Sequence, residues 1–151
     1  MVRSAVIGFV IAALVLADGF TFNIGNPVAA GDYRSKTALF VFRTEGCADP
    51  AKAQISGTAE GLIKGMRRSV PLNLAKLSQP GVYGVNKSWT ADGAWVVSLS
   101  GTCDHASAGA IIPIGPGGFI RDSSKFLPHS PTNAEIEASL KALAHTQGEK
   151  Q

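Results

Sequence analysis

Residues 82–100, VYGVNKSWTADGAWVVSLS, are the stretch of sequence that decides the fold class. Apolar side chains alternate with small or polar ones on both sides of its centre, a period typical of strands with one buried face. The alternating apolar positions are Tyr83, Val85 and Trp89 before the centre, and Trp95, Val97 and Leu99 after it. Asp92-Gly93 between them is a pair that accepts positive φ at hairpin tips. We therefore predict two antiparallel strands, 82–89 and 94–100, joined as a β-hairpin.

Four other segments also have strand character, and turn signals separate them. These predicted strands are residues 37–43, 53–62, 67–77 and 108–114, and Lys64-Gly65 is predicted to form the turn before residues 67–77. Pro71 has no backbone donor, so the third of them is expected at a sheet edge, or bulged. Six short strands with turns between them predict a mostly β protein, a single antiparallel immunoglobulin-like β-sandwich. A small closed or half-open barrel is the alternative.

Composition and charge exclude several classes of protein. Charged residues make up 17% of the 151 residues, too few for a highly charged disordered chain. Lys and Arg number 14 against 11 Asp and Glu, giving a formal net charge of +3. The only basic cluster of the sequence, Lys64, Arg67 and Arg68, is too sparse for the many phosphate contacts of a nucleic-acid-binding protein. We therefore expect no nucleic-acid partner.

The amino-terminal segment has the pattern of a secretory signal peptide. Arg3 precedes an uncharged apolar run, residues 5–17, that ends at Asp18 and is shorter than the roughly 20 residues of a membrane-spanning helix. We predict a signal peptide over residues 1–30, cleaved after Ala30 or alternatively after Ala17, and no membrane span once it is removed. A buried helix or an uncleaved anchor is the other interpretation. The predicted location is secreted or periplasmic.

The two cysteines, Cys47 and Cys103, lie 56 positions apart, after the predicted leader. Cysteines of exported proteins usually pair in their oxidising compartment, so we predict a disulfide between them. The competing interpretation is a copper or zinc site that uses Cys103 and His105, with Cys47 or Met66 as further ligands. Because neither a CxxC nor an HxxxH motif occurs in the sequence, we predict no metal and no cofactor.

The carboxyl-terminal part is predicted to be an irregular segment followed by a helix. Residues 31–118 are assigned to the β-sandwich domain and residues 119–151 to this tail, with the helix over 133–145. Thr132 and Glu135 match a capping box at its start. An apolar stripe then follows at helical spacing: Ile136, Leu140 and Leu143. Such a stripe usually packs on its own domain, and docking of a partner is the alternative.

No catalytic arrangement stands out in the sequence. There is no G-x-S-x-G motif, and the scattered carboxylates are weak evidence for a hydrolytic pair. Aromatic residues near the Asp92-Gly93 turn are the candidate binding surface for an unknown protein or small-molecule ligand, with core packing as the alternative. These residues are Tyr83, Trp89 and Trp95.

Residues 80–100 resemble a hairpin of small bacterial exported sandwich modules. The matching pattern is Pro80-Gly81-Val82-Tyr83 followed by Gly93-Ala94-Trp95 and Leu99. The families are the YtkA-like and FixH-like domains and, more loosely, transthyretin-like domains. The resemblance implies an exported, non-catalytic binding or accessory module, in some cases one that handles copper. A metal chaperone or sensor and a small secreted hydrolase are the alternative functions.

Overall fold

The computed structural model of the protein describes residues 19–27 and 31–149. Most of the predicted signal peptide and both predicted cleavage positions, Ala17 and Ala30, lie outside these residues, so they stay predictions. None of the helices within the described ranges is long and apolar enough to cross a membrane.

Antiparallel strands form two sheets. The smaller sheet has four strands in the order β1 (Thr21–Gly25), β2 (Phe40–Glu45), β6 (Val82–Val85) and β5 (Leu74–Lys76). The larger sheet has the order β10 (Lys125–Leu127), β8 (Ala106–Gly115), β7 (Ala94–Cys103), β3 (Gln54–Ile63) and β4 (Met66–Pro71), and the short β9 (Gly118–Phe119) also pairs with β8. A single helix, α1 (Asn133–Glu149), follows the last strand.

The inner faces of the two sheets share one apolar core. The smaller sheet contributes an aromatic row, in which the ring centroids of Phe22 and Phe42 are 5.5 Å apart and those of Phe42 and Tyr83 are 5.2 Å apart. Val97 and Leu99 of β7 belong to the same buried cluster and are fully inaccessible to solvent. The predicted fold class, a mostly β antiparallel sandwich with a carboxyl-terminal helix, is confirmed.

The predicted hairpin across Asp92-Gly93 is wrong. β6 pairs with β2 and β5 in the smaller sheet, whereas β7 pairs with β3 and β8 in the larger one. Gly93 does have the expected positive φ, +82°, and a Cβ at this position would lie 2.6 Å from the carbonyl oxygen of Leu62. Residues 86–93 thus carry the chain from one sheet to the other. The prediction failed because a turn-forming pair fixes the local backbone conformation and does not decide which strands pair.

The long strands of the larger sheet are joined by hairpins with other tips. Lys64 and Gly65, predicted as a turn, have φ of 50° and 76° and join β3 to β4. Asp104, with φ of 53°, and His105 form the turn between β7 and β8, where Cys103 is the register partner of Ala106. The Cys103-Asp104-His105 sequence is therefore a hairpin tip.

Pro71 marks a sheet edge, as predicted. It is the last residue of β4, which lies at one end of the larger sheet. The predicted strand 67–77, however, is divided between the sheets, since the chain leaves β4 at Pro71 and enters β5 of the smaller sheet at Leu74. A proline that cannot donate to the strand ladder is well placed where pairing stops.

Strands also occur at positions where no strand is predicted. β1 lies at residues 21–25, inside the predicted signal peptide, and pairs with β2 from Thr21↔Glu45 to Gly25↔Val41. The segment 119–131, predicted to be irregular, contains β10 and the end of β9. Both strands belong to the two sheets, so the sandwich extends beyond the predicted limits 31–118.

α1 packs on the outer face of the larger sheet. Its predicted stripe is buried against that sheet, with Ile136 7%, Leu140 0% and Leu143 6% exposed. The same cluster contains Ala94 and Val96 of β7 and Ile111 of β8. The prediction that the helix covers its own domain is confirmed, and the helix continues past the predicted end at residue 145 to Glu149.

The capping box of α1 is formed as predicted, and its removal gives a first testable expectation. The backbone N–H of Thr132 donates to Glu135 Oε2 at 2.8 Å, and that of Glu135 donates to Thr132 Oγ1 at 3.2 Å.

Thr132→Ala should lower the free energy of unfolding by about 1 kcal/mol because one helix N–H loses its acceptor. Urea denaturation measures this change. Thr146→Ala, in the last turns of the same helix, is the matched control and should change stability by less than about 0.5 kcal/mol. Equal effects would contradict the role of the cap.

Candidate functional site

A cleft of about 470 Å³ lies on the outer face of the smaller sheet. Its floor is a row of cross-strand neighbours, Asn23 of β1, Arg43 of β2 and Val82 of β6. Residues 31–32 and the turn 77–79 form its walls. Alternation along the strands explains this floor, because neighbours of the floor positions point into the core on the other face: Phe22, Ile24, Phe42 and Tyr83.

Asn23 and Arg43 of the floor form a network with Glu45, which lies outside the lining of the cleft. Glu45 Oε1 accepts hydrogen bonds from Asn23 Nδ2 and Arg43 Nε, both at 3.0 Å, and lies 2.9 Å from Arg43 Nη2. The Asn23 amide, together with the Arg43 guanidinium, holds the pKa of the Glu45 carboxyl below its ordinary value. The Arg43 side chain remains 61% exposed, so its guanidinium borders both the network and solvent.

Asp32 ties the two walls of the cleft together. Its Oδ1 accepts from the backbone N–H of Arg34 at 2.9 Å and from Arg34 Nε at 3.2 Å. Its Oδ2 accepts from Arg34 Nη2 at 3.0 Å, from the backbone N–H of Ser78 at 2.8 Å and from the Ser78 hydroxyl. These bonds, the Arg34 side chain first, hold the pKa of Asp32 far below its ordinary value. The carboxylate therefore connects the segment before β2 to the turn after β5.

The low pKa of Asp32 predicts a pH-dependent contribution to stability. A depressed folded-state pKa stabilises the protein above the unfolded value of 3.8 and loses this effect as the pH falls below it. Asp32→Asn should therefore lower the melting temperature at pH 7, and the difference in melting temperature between this variant and the wild-type protein should decrease steadily below about pH 4. Melting curves between pH 2 and pH 7 measure this difference. Ser78→Ala, which removes one donor to Asp32, should give a smaller difference in melting temperature at pH 7 that also decreases at low pH. A difference that does not depend on pH would refute the stabilising role of the Asp32 carboxylate.

The lining of the cleft combines apolar and hydrogen-bonding groups. Apolar surface comes from Val41, Leu77 and Val82, and hydrogen-bonding groups come from Asn23, Arg43 and Gln79. Small-ligand sites usually have mostly apolar walls and a few placed polar groups, whereas polar and apolar groups share the lining of this cleft about equally. None of the described lining residues is a histidine or a cysteine, and the residues at 19–27 and 31–149 include no group of three or more side chains placed to hold a metal ion.

The aromatic residues predicted as a binding surface lie in the core. Tyr83, Trp89 and Trp95 are only 7%, 9% and 5% exposed. The two indoles stack with centroids 6.0 Å apart, and Trp95 Nε1 donates to the carbonyl oxygen of Asp92 at 2.7 Å. This pair fills the space where the chain crosses between the sheets. Their positions match the alternative interpretation, which is packing in the core.

The predicted disulfide between Cys47 and Cys103 is confirmed. The Cα atoms are 5.9 Å apart, and the bond connects the segment after β2 to the end of β7, hence one sheet to the other. His105 lies two residues beyond, exposed at the hairpin tip. While the bond is intact, the candidate metal pair Cys103 and His105 lacks a thiolate.

Comparison with known proteins identifies no relative. No protein-family model matches the chain, and no curated protein or solved structure has significant similarity to it. The resemblance of residues 80–100 to YtkA-like and FixH-like domains therefore stays a prediction.

Sequence reasoning missed the cleft residues. Asn23 belongs to a strand that was assigned to the leader, and Asp32 and Gln79 lie in loops whose meeting depends on the fold. A usable signal was present at Arg43 and Glu45. Two charged residues spaced by two at the end of an apolar strand indicate one solvated face at that end.

Proposed function

We propose that the protein is an exported, non-catalytic β-sandwich module that binds a small organic ligand in the cleft over Asn23, Arg43 and Val82. The observation that carries this proposal is the cleft itself, which combines an apolar wall with hydrogen-bonding side chains on a sheet face outside the core. The walls are held together by Asp32 through side-chain and backbone bonds, so the cleft is preformed. A preformed site loses little conformational entropy on binding.

Charge and hydrogen bonding favour a ligand with oxygen acceptors. Arg43 has five N–H donors, and its bonds to Glu45 involve Nε and Nη2 only. The amide groups of Asn23 and Gln79 lie in the same lining. A ligand that fits this lining has a carboxylate, amide or hydroxyl near Arg43 and an apolar part against Val41 and Leu77.

Two observations support export. The uncharged apolar run over residues 5–17 follows Arg3, in the pattern of a secretory signal. The disulfide between Cys47 and Cys103 is of a kind that persists in oxidising compartments and is rare in the cytosol of mesophiles.

A fragment screen followed by amide NMR tests the binding proposal. The probes are small aromatic and aliphatic carboxylic acids, amides and sugars at millimolar concentration. We expect shifts for at least one class to cluster at Asn23, Arg43 and Gln79. Arg43→Ala should weaken that probe about tenfold or more, through loss of charge-assisted hydrogen bonds.

Two further variants separate the cleft from the rest of the surface. Val41→Trp should fill the cleft and abolish binding, and Ser107→Trp, on the exposed β7–β8 hairpin, is the matched control that should leave binding unchanged. Shifts that cluster elsewhere, or binding that survives both Arg43→Ala and Val41→Trp, would refute the proposal.

A further inference from the structure

We infer that the leader is removed between Ala17 and Asp18, and that the mature protein retains β1. The inference rests on the export that forms part of the proposed function, and it concerns a processing site rather than the cleft. The two predicted cleavage positions, after Ala17 and after Ala30, lie on opposite sides of β1. Whether β1 is needed by the fold therefore decides between them.

The side chains of this segment are part of the central core. Phe20, Phe22 and Ile24 are 5%, 3% and 2% exposed. Phe22 makes edge-to-face contacts with Phe20 at 5.7 Å and with Phe42 at 5.5 Å between ring centroids. Gly101 in β7 lies so close to this cluster that a Cβ there would be 2.8 Å from Phe22 Cζ. Because position 101 of the larger sheet is a glycine, these rings have room to pack against β7.

Backbone and polar bonds also hold the strand in place. β1 pairs with β2 along its whole length, Thr21–Gly25. The carbonyl oxygen of Ile24 accepts from Arg121 Nη2 at 2.7 Å, so a side chain 97 residues further along the chain bonds to the backbone of β1. The carbonyl oxygen of Pro27 accepts from the Ser35 hydroxyl at 3.0 Å. Contacts thus extend from the start of β1 to the residues just before Ala30.

Cleavage after Ala30 would remove all of these contacts at once. Phe42 would lose its contact with the ring of Phe22, β2 would become a sheet edge, and the cleft would lose Asn23 from its floor. Cleavage after Ala17 leaves each of them intact. The new amino terminus then lies two residues before Phe20, whose ring is buried.

The sequence before Asp18 suits a signal peptidase. The apolar run 5–17 ends in Val15-Leu16-Ala17, with a small residue directly before the cleaved bond. The reaction is hydrolysis of one peptide bond by a signal peptidase. Water adds across the Ala17–Asp18 peptide bond, the Ala17 carbonyl carbon takes the hydroxyl, and the Asp18 nitrogen leaves as an amine.

Expression of the full precursor in a bacterium with a secretory pathway, followed by intact-mass measurement of the exported protein, tests the inference. We expect a chain that begins at Asp18. Ala17→Arg should block processing and retain residues 1–17, whereas the matched variant Ala30→Arg should be processed as in the wild-type protein. An exported chain that begins at Gly31, or processing lost in Ala30→Arg and kept in Ala17→Arg, would overturn the inference.

The result also separates this inference from the export proposal. A precursor that stays in the cytoplasm with residue 1 intact would refute export and, with it, the processing site; a start at Gly31 in the exported fraction would refute the processing site alone. A chain made to begin at Gly31 gives an independent measurement. It should show no cooperative thermal transition, whereas a chain that begins at Asp18 should unfold in one transition.

Discussion

Loss of the Cys47–Cys103 disulfide should lower the free energy of unfolding by about 4 kcal/mol, the value the chain-entropy model gives for a loop of this length. The two cysteines are 56 residues apart and connect the smaller sheet to the larger one. Without the bond the unfolded chain gains freedom, whereas the folded sandwich keeps its shared core. The melting temperature should fall by about 10–20 °C.

A double variant with Cys47→Ser and Cys103→Ser measures this effect by calorimetry or chemical denaturation. Serine at both positions avoids a lone thiol next to the core, where Cys103 is 6% exposed. Reductant added to the wild-type protein should produce a similar decrease and should not affect the double variant. A decrease below about 1 kcal/mol would contradict a stabilising role of the bond.

Phe22→Ala should destabilise the protein by about 3–5 kcal/mol, the usual cost of removing a buried phenylalanine side chain. Phe22 is 3% exposed and touches the rings of Phe20 and Phe42. The cavity would open between the rings of Phe20 and Phe42 and the backbone of Gly101 in β7, inside the core that the two sheets share. Little collapse is therefore expected around it.

Thr21→Ala is the matched control for this variant. Thr21 is the neighbouring residue in β1, only half-buried, and its substitution should change stability by less than about 1 kcal/mol. Urea denaturation of both variants in a chain that begins at Asp18 gives the comparison. If Phe22→Ala and Thr21→Ala were equally mild, β1 would not be part of the stabilising core.

The elements that sequence reasoning found are those with local signals. Lys64-Gly65 forms a turn because a glycine accepts positive φ, and Thr132 with Glu135 caps a helix through bonds that span only four residues. The stripe Ile136, Leu140 and Leu143 follows from the helical period. Each depends on neighbours in the chain and needs no knowledge of the fold.

The predictions that failed are those that required distant partners. The strands on either side of Asp92-Gly93 looked like a hairpin, yet β6 finds its partners in β2 and β5, and β7 in β3 and β8. Phe20 and Phe22 fall in the predicted leader. The composition of a short apolar segment after a signal sequence does not distinguish the end of a leader from an edge strand. Only the aromatic row on β2 and β6 shows why the two residues belong inside.

By itself, the sequence determined the fold class, the turn at Lys64-Gly65, the helix with its cap, and the presence of two cysteines able to pair. Tertiary structure alone decided which strands pair, that residues 21–25 complete a sheet, and that Asn23, Arg43, Asp32 and Ser78 meet around one cleft. The physical reason is that backbone conformation and amphipathic period are set by nearest neighbours. Strand pairing and a cleft depend instead on which distant surfaces bury the most apolar area together.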